Sequence, residues 1–352
     1  MQQNTAPAAE ITIGGNPLSA SDAKKLTDVT VETRLDLPGG FDVMFSDSAL
    51  ALIDKDNGPL REGLRLEIAL GYDKKLKTLI TGEIGTVSAE MSDRGVFVRA
   101  VGYDMLHRLA RGTSYRHYES GDNPPKAISD SSIAETLIKA VGLSANVQQT
   151  HSRNIPRTQD NRSDLDFLVM LARLNGYYLY SEGDSVFFTA DPPNRGELNY
   201  SWGKDFMAFY PRLCLNGLVK TLENRGRDVA AAENYAETLD RGDLSFLSSA
   251  GRNMLSRGSG GRTSEDRSVL NLQDAMITDA NDAKSFLAGA MRDSQALVAA
   301  GGSCVGDPEL IAGAVLKVAN AGRFSGNYSV IRAVHRFNGL GYSTDFQLRM
   351  NL

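Results

Sequence analysis

Residues able to do chemistry are scattered through this 352-residue chain rather than gathered at one spacing. The four histidines, His107, His117, His151 and His335, stand far apart, and no H-E-x-x-H pair sets two of them on one helix face. His107 and His335 sit beside apolar strand or helix residues, the usual setting of a hydrogen-bonded structural histidine. Cys214 and Cys304 form no C-x-x-C pair, and they read as ordinary buried thiols rather than a disulfide or a metal site. The cluster Gly258-Ser259-Gly260-Gly261 has the composition of a phosphate loop. Polar residues surround it where a strand should precede it, so a flexible linker is expected. A G-x-S-x-G elbow, a Walker-type loop and a strand-borne G-x-G-x-x-G are all missing. Carboxylates are plentiful, yet nearly all fall on the wet positions of alternating strands or at helix caps. A glycosidase pair would have to meet in three dimensions. Twelve tyrosines and one tryptophan make no aromatic-rich sugar cleft, and Trp202 reads as a packing anchor at a domain junction. No catalytic, cofactor-binding or metal-binding residue is assigned, and the expectation is an assembly part rather than an enzyme.

The totals agree with that expectation. A net charge of -5 argues against a dedicated nucleic-acid binder, which usually carries a basic stripe. The length exceeds what one core serves, so two or more domains are expected, and 41% apolar residues suffice to fill them. No run approaches the roughly 18 apolar residues of a membrane span, and the start, MQQNTAPAAE, lacks the basic and apolar regions of a secretion signal. A soluble protein made in the cytoplasm is expected.

The elements follow from hydrophobic period. Residues 1–10 suggest a flexible start. Alternation then predicts strands at Ile11-Thr12-Ile13, Val29 to Asp36, Phe41 to Phe45, and Leu64 to Leu70. Two more, Leu79 to Val87 and Gly95 to Val101, are joined by the turn Ser92-Asp93-Arg94-Gly95 and run into a short helical turn closed by Gly112. The apolar beat Ile80, Gly82, Ile84 resumes at Val87 instead of position 86, which predicts a bulge near Gly85 and a bent, barrel-like sheet. The period then changes. Ser132-x-x-Glu135 and Ser163-x-x-Asp166 are capping patterns for two helices stopped by Gly142 and Gly176. A hairpin turning at Glu182-Gly183-Asp184 completes a small α+β module that ends at Asp191-Pro192-Pro193-Asn194. Strand-like sequence returns from Phe206 to Arg225, a polar surface excursion runs from about Asp240 to Arg267, a helix is predicted from about Asp282 to Ala299, and Leu310 to Leu352 is strand-like again.

The two ends echo each other. Gly313 to Val318, Ser325-Gly326-Asn327-Tyr328, and Gly341 to Phe346 follow the order of Gly63 to Ile68, Thr81 to Ile84, and Gly95 to Val98. The identities are few and the spacings uneven, which leaves two explanations: a chance match between strand-rich segments, or two related barrels with other structure inserted between them.

Several motifs also resemble a known family. Thr81-Gly82, the hairpin, and Val101-Gly102-Tyr103-Asp104 before Leu106-His107-Arg108-Leu109 form the first; Ser163 to Leu168 with Gly176-Tyr177 form the second. The third is Gly306-Asp307-Pro308-Glu309-Leu310 with Phe324-Ser325-Gly326, Tyr328, Val330 and His335. In this order they resemble the late control D family, the baseplate hub proteins of contractile phage tails and R-type pyocins, related to the hub part of VgrG spikes. The resemblance implies a mainly β fold with α+β insertions: two related tube-like antiparallel β-barrels plus a small α+β module. The implied domains are a first barrel over 1–112, the module over 113–204, a discontinuous second barrel over 205–230 and 303–352, and an inserted excursion and helix over 231–302. It implies a structural hub, a homotrimer adapting a threefold spike to the sixfold tail tube and nucleating tube assembly. The implied partners are the central spike protein, the tail tube protein, a tape-measure protein in the lumen and baseplate wedge proteins, with no nucleic-acid specificity and no membrane span. The implied location is the tail baseplate of a virion or tail-like particle, made in the bacterial host cytoplasm. Because the sequence ends just after the last barrel strand, where VgrG-type members continue, the spike is expected to be a separate polypeptide. The alternatives carried forward are a tail-tip peptidoglycan hydrolase and the hub of a type VI secretion spike, with a carbohydrate-binding barrel behind them.

Overall fold

A computed structural model describes residues 6–350 apart from 36, 74, 123–125, 152–155, 215–220, 229–230, 241–268, 275 and 295–297. Strand β1 (Pro7–Ile13) leads through Gly14 and Gly15, both at positive φ, into the two-residue β2 (Asn16–Pro17). A four-residue helix α1 (Ala20–Ala23) follows. The next strands are β3 (Leu26–Arg34), β4 (Gly40–Ser46), β5 (Arg65–Tyr72), β6 (Lys75–Ser92) and β7 (Gly95–Asp104). In the sheet they lie in the order β3-β4-β7-β6-β5-β1, each antiparallel to its neighbour. Alternate residues point inward, and Ile11, Val31, Val43, Ile68, Ile84 and Val98 meet in one apolar cluster. Each such side chain contributes about 1.5–3 kcal/mol on burial, so the sheet curls around the cluster in barrel fashion. The predicted bulge is present: Ile84 faces Gly102 and Thr86 faces Val101, leaving Gly85 as the extra residue.

After the 3-10 turn Met105–Ala110 comes the α+β part: β8 (Ser114–Tyr118), α2 (Asp130–Ala140), β9 (Ser144–Val147), β10 (Arg157–Arg162), α3 (Asp164–Asn175), β11 (Tyr178–Glu182) and β12 (Ser185–Thr189). Ser163 caps α3 as expected, its Oγ accepting the Asp166 N–H at 3.0 Å, and Gly176 ends the helix at φ +66°. The start of α2 differs from expectation. Its N-cap is Ser129, whose Oγ accepts the Ser132 N–H at 3.3 Å. Ser132 is thereby inside the first turn, and Glu135 pairs with Lys139 one turn on rather than reaching back to the cap. Phe167, Leu168 and Leu171 of α3 pack with Leu137 and Ile138 of α2 over Phe188.

The remaining elements are β13 (Glu197–Ser201), β14 (Phe206–Leu213), β15 (Thr221–Asp228), β16 (Glu233–Asp240), β17 (Val269–Asn271), α4 (Ala280–Ser294), β18 (Val298–Val305), β19 (Val315–Ala319), β20 (Gly326–Asn338) and β21 (Gly341–Met350). Helix α4 lays Leu287, Ala290 and Met291 on Leu222 of β15. It also crosses close to the end of α3: a Cβ on Gly289 would lie 2.9 Å from the Gly176 Cα.

The second set of strands repeats the first. Its order is β14-β18-β21-β20-β19-β13, matching β3-β4-β7-β6-β5-β1 position by position. Ile84 faces Gly102 and Val330 faces Leu348; 330 minus 84 and 348 minus 102 are both 246. The same offset holds at the turns, where Ser92 faces Gly95 and Asn338 faces Gly341, and both glycines have φ +125°. The bulge recurs between Val330 and Arg332. A second register shift, between Leu26 and Asp28 of β3, recurs between Phe206 and Ala208 of β14, an offset of 206 minus 26, or 180. Even the strand entrances agree. The Gly63 N–H donates to Ile84 O at 2.7 Å and the Ile84 N–H to Leu64 O at 3.0 Å; the Gly313 N–H donates to Val330 O at 2.8 Å and the Val330 N–H to Ala314 O at 2.9 Å. One difference remains: β1 is antiparallel to β5, whereas β13 is parallel to β19. The echo between the two ends is therefore a structural repeat, not a chance match.

Other expectations need correction. Pro7 to Glu10 belong to β1, where they pair with Tyr72 to Ala69, so the flexible start does not extend to residue 10; residues 1–5 lie outside the described residues. The predicted helix to Ala299 ends at Ser294, and Val298 and Ala299 begin β18 because ladders to β14 and β21 claim them. Trp202 is 50% exposed in a turn, not a buried packing anchor. Cys304 is buried but Cys214 is partly exposed; both are free thiols. The polar excursion beyond Asp240, including Gly258 to Gly261, lies outside the described residues, as do Asp36 and Leu297.

Candidate assembly surface

The two halves are joined by their strands. The outer part of β20 pairs with β3, from Arg332 opposite Arg34 to Asn338 opposite Asp28, so one continuous sheet passes through both. Across this junction the Arg332 guanidinium grips Glu32 with two bonds of 2.7 Å. That bidentate pair holds the Glu32 carboxyl below its usual range against the opposing effect of burial. The Ala312 N–H donates to Thr33 Oγ1 at 3.0 Å, Tyr72 Oη donates to the Gly306 carbonyl at 2.8 Å, and Lys77 pairs with Glu309.

His335 lies in this junction, fully buried. Its Nδ1 lies 2.9 Å from Tyr342 Oη and 3.1 Å from Thr344 Oγ1, within hydrogen-bonding distance of both. Burial, with Lys77 nearby, lowers its pKa to about 3, so the ring is neutral and structural, as its sequence setting suggested.

The other flagged residues are also committed to structure. His107 Nδ1 bonds the Asp104 carbonyl at 2.7 Å, and its Nε2 is 3.0 Å from Glu83. Burial would raise the Glu83 carboxyl, but Arg108, with His107 and Arg111, holds it below its usual value. His117 lies on the surface, 2.9 Å from Thr158 Oγ1. His151 Nε2 is 2.7 Å from Asp282 Oδ1, with Asp279 close by. This trio has the donor set of a metal site, yet its acids already have work at the start of α4. Asp279 accepts the Asp282 N–H at 2.8 Å, and Asp282 Oδ2 accepts from Thr278 N–H and Oγ1 and lies 3.8 Å from Arg157. Burial pushes the Cys304 thiol up to about 12, which leaves it protonated and unreactive at neutral pH.

A cleft of about 520 Å³ opens between the first half and the α+β part, lined in part by Glu32, Lys77, Asp104, Glu182 and Arg195. Sequence reasoning missed Asp104. Burial raises its carboxyl to about 6, in the range of a general acid. Its oxygens, however, accept the Gly39 N–H at 2.7 Å and the Leu106 N–H at 3.0 Å, capping the 3-10 turn and pinning the β3–β4 connection. Glu32 is held by Arg332, and Glu182 pairs with Arg195 at 3.2 Å. The acids of this cleft serve as caps and ion pairs.

What the halves leave open is backbone. Strand β14 is hydrogen-bonded to β18 only, and the Thr86–Ser92 part of β6 to β7 only, among the described strands. Met91 is 63% and Tyr210 71% exposed on these two edges. The signal available in sequence was Met91, an apolar residue in an otherwise polar hairpin end. Among the described residues no helix is long and apolar enough to cross a membrane.

The fold is shared with proteins of known structure. The prophage MuSo2 43 kDa tail protein from Shewanella oneidensis superposes with a TM-score of 0.68 at 13% identity, over 98% of both chains. The tail protein from Neisseria meningitidis MC58 gives 0.67 at 9% identity, over 98% of this chain and 97% of that one. The E. coli c3393 protein, a component of the type VI secretion system with structural similarity to T4 bacteriophage tail proteins gp27 and gp5, gives 0.56 at 12% identity, over 93% and 74%. The mainly β, tail-protein fold implied by the sequence motifs is thus the observed one. No curated protein matches by sequence. The sequence model that does match, over residues 8–338, is described as the Alg8 N-terminal domain, and the chain belongs to that family.

Proposed function

We propose that this chain is a structural baseplate hub subunit of a contractile phage tail or phage-derived injection particle. It forms a homotrimer that adapts a threefold spike to the sixfold tail tube and nucleates tube assembly. The observation that supports this is the repeat of strand order, register and bulges between the two halves. A closed trimer offers six matching docking surfaces only if each chain carries two. The partners in this proposal are the central spike protein, the tail tube protein, a tape-measure protein in the lumen and baseplate wedge proteins. The working units are a first barrel over 1–112, an α+β module over 113–204, a second barrel over 205–230 and 303–352, and an insertion over 231–302. The protein is made in the host cytoplasm and ends in the baseplate. It works by geometry rather than catalysis, in keeping with the acids of the cleft being tied to backbone and arginine. Contacts between subunits should be obligate, on the order of 2,000 Å² or more per pair. Light scattering of the purified chain with its spike should give three copies of each. A stable monomer indifferent to both spike and tube protein would contradict the proposal. The likeness to the E. coli c3393 fold favours a second reading, the hub of a type VI secretion spike, and the tube protein that the hub caps tells the two apart.

A further inference from the structure

The junction inside the chain uses one edge from each half and leaves the equivalent edges open among the described residues. Within the chain, the outer part of β20 pairs with β3. By the offset of 246, the counterpart of β20 residues 332–338 in the first half is Thr86–Ser92 of β6; by the offset of 180, the counterpart of β3 in the second half is β14. Among the described strands, each of these two segments has a ladder on one side only.

We propose that Thr86–Ser92 of one copy pairs, antiparallel and edge to edge, with β14 of a second copy, repeating between chains the junction that β20 and β3 make within one. This rests on the homotrimer proposed above. The internal ladder also supplies the register. Val334 opposite Glu32 becomes Ser88 opposite Arg212, and Arg336 opposite Thr30 becomes Glu90 opposite Tyr210.

The side chains agree with that register. Val87, Ala89 and Met91 come to lie beside Leu213, Pro211 and Phe209, apolar against apolar on the inner face. Ser88 and Glu90 lie beside Arg212 and Tyr210 on the outer face, with Glu90 diagonal to Arg212 and within reach of it. A slip of one residue would set Met91 against an outward position, Tyr210 or Ala208, so the pattern selects one alignment. The exposure of Met91 in the single chain is then the exposure of an uncovered interface. Pro211 has no N–H to give, so this ladder is one donor poorer than an all-amide one. The contact is head to tail, β6 to the next chain's β14, and such contacts are satisfied throughout only when they close into a ring. With internal and external junctions alternating, a ring of six halves closes after three chains.

The test is thiol cross-linking of the full chain carrying Glu90→Cys and Tyr210→Cys, with Cys214→Ser to remove the partly exposed native thiol. Directly opposed residues of antiparallel strands have Cβ atoms roughly 4.5–5.5 Å apart, within reach of a short bis-maleimide. Both substituted positions are exposed, so circular dichroism should match that of the unsubstituted chain. Denaturing gels should show covalent dimer and trimer from the double variant and neither from the two single variants. Light scattering of the same samples separates the two ideas. A trimer that does not cross-link overturns the edge pairing and leaves the trimer standing. A chain that neither associates nor cross-links overturns both. Cross-linking of Glu90→Cys to Arg212→Cys in preference to Tyr210→Cys overturns the register.

Discussion

Replacing Gly306 with alanine should loosen the junction between the two halves, and the geometry sets the size of the effect. A Cβ at Gly306 would lie 2.1 Å from Tyr342 Cγ and 2.2 Å from its Cδ1. Carbon atoms normally rest about 3.5–4.0 Å apart, so the ring must retreat by roughly 1.5 Å. It has nowhere easy to go. Tyr342 is buried, packs against Tyr72 with ring centroids 5.8 Å apart, and is hydrogen-bonded to His335 Nδ1 at 2.9 Å. Tyr72 in turn donates to the Gly306 carbonyl at 2.8 Å. Overpacking costs about 1–3 kcal/mol. Losing the Tyr342 bond adds about 1 kcal/mol, the low end for a buried polar group, because Thr344 Oγ1 remains 3.1 Å from the same nitrogen. The expected loss is about 2–4 kcal/mol, read as a lower urea midpoint at unchanged slope. Tyr342→Phe, which deletes the bond without the clash, should cost only about 1 kcal/mol. If Gly306→Ala unfolds within about 0.5 kcal/mol of the unsubstituted chain, the packing of the junction is not as described.

Two further outcomes follow from the same structure. Ser129→Ala and Ser163→Ala should each cost about 1 kcal/mol in urea unfolding, whereas Ser132→Ala, within the first turn of α2, should change stability by less than about 0.5 kcal/mol. The His335 pKa falls on folding from the usual 6.5 to about 3, so the unfolded chain binds the extra proton. Stability from this group is present above pH 6.5 and is lost as pH drops toward 3, at about 1.4 kcal/mol per pH unit. His335→Gln should flatten the stability profile in that window, as followed by urea midpoints at stepped pH.

Much of the local structure was written in the sequence because local rules decide it. The missed beat between Ile84 and Val87 gave the bulge, and Ser163 with Gly176 gave both ends of α3. Local rules also misled. Ser-x-x-Glu at Ser132 fits a capping box, but Ser129 three residues earlier takes the extended backbone a cap needs. Leu297 and Val298 continue the helical period of α4, yet Val298 goes to a strand because it pairs with Leu213 of β14, and Ala299 beside it pairs with both β14 and β21, a choice made by distant chain. The repeat was only half legible. Within the long hairpins its offset is constant at 246, but β3 and β14 are offset by 180, since the connecting segments differ in length. Aligned strand by strand, few identities remain: Phe45 stands where Cys304 does, opposite Val98 in one half and Thr344 in the other. The candidate site had no signal of the kind sought. Unpaired backbone carries no residue motif, and Asp104 became notable only through its burial against Gly39 and Leu106.

The central claim is that three copies of this 38.1 kDa chain present six like halves around one axis. Negative-stain images of the purified chain viewed down that axis test it most directly. Six lobes of similar size, in a particle of three times the chain mass, are expected. Single-chain particles, or rings whose lobes equal the number of chains, would contradict it.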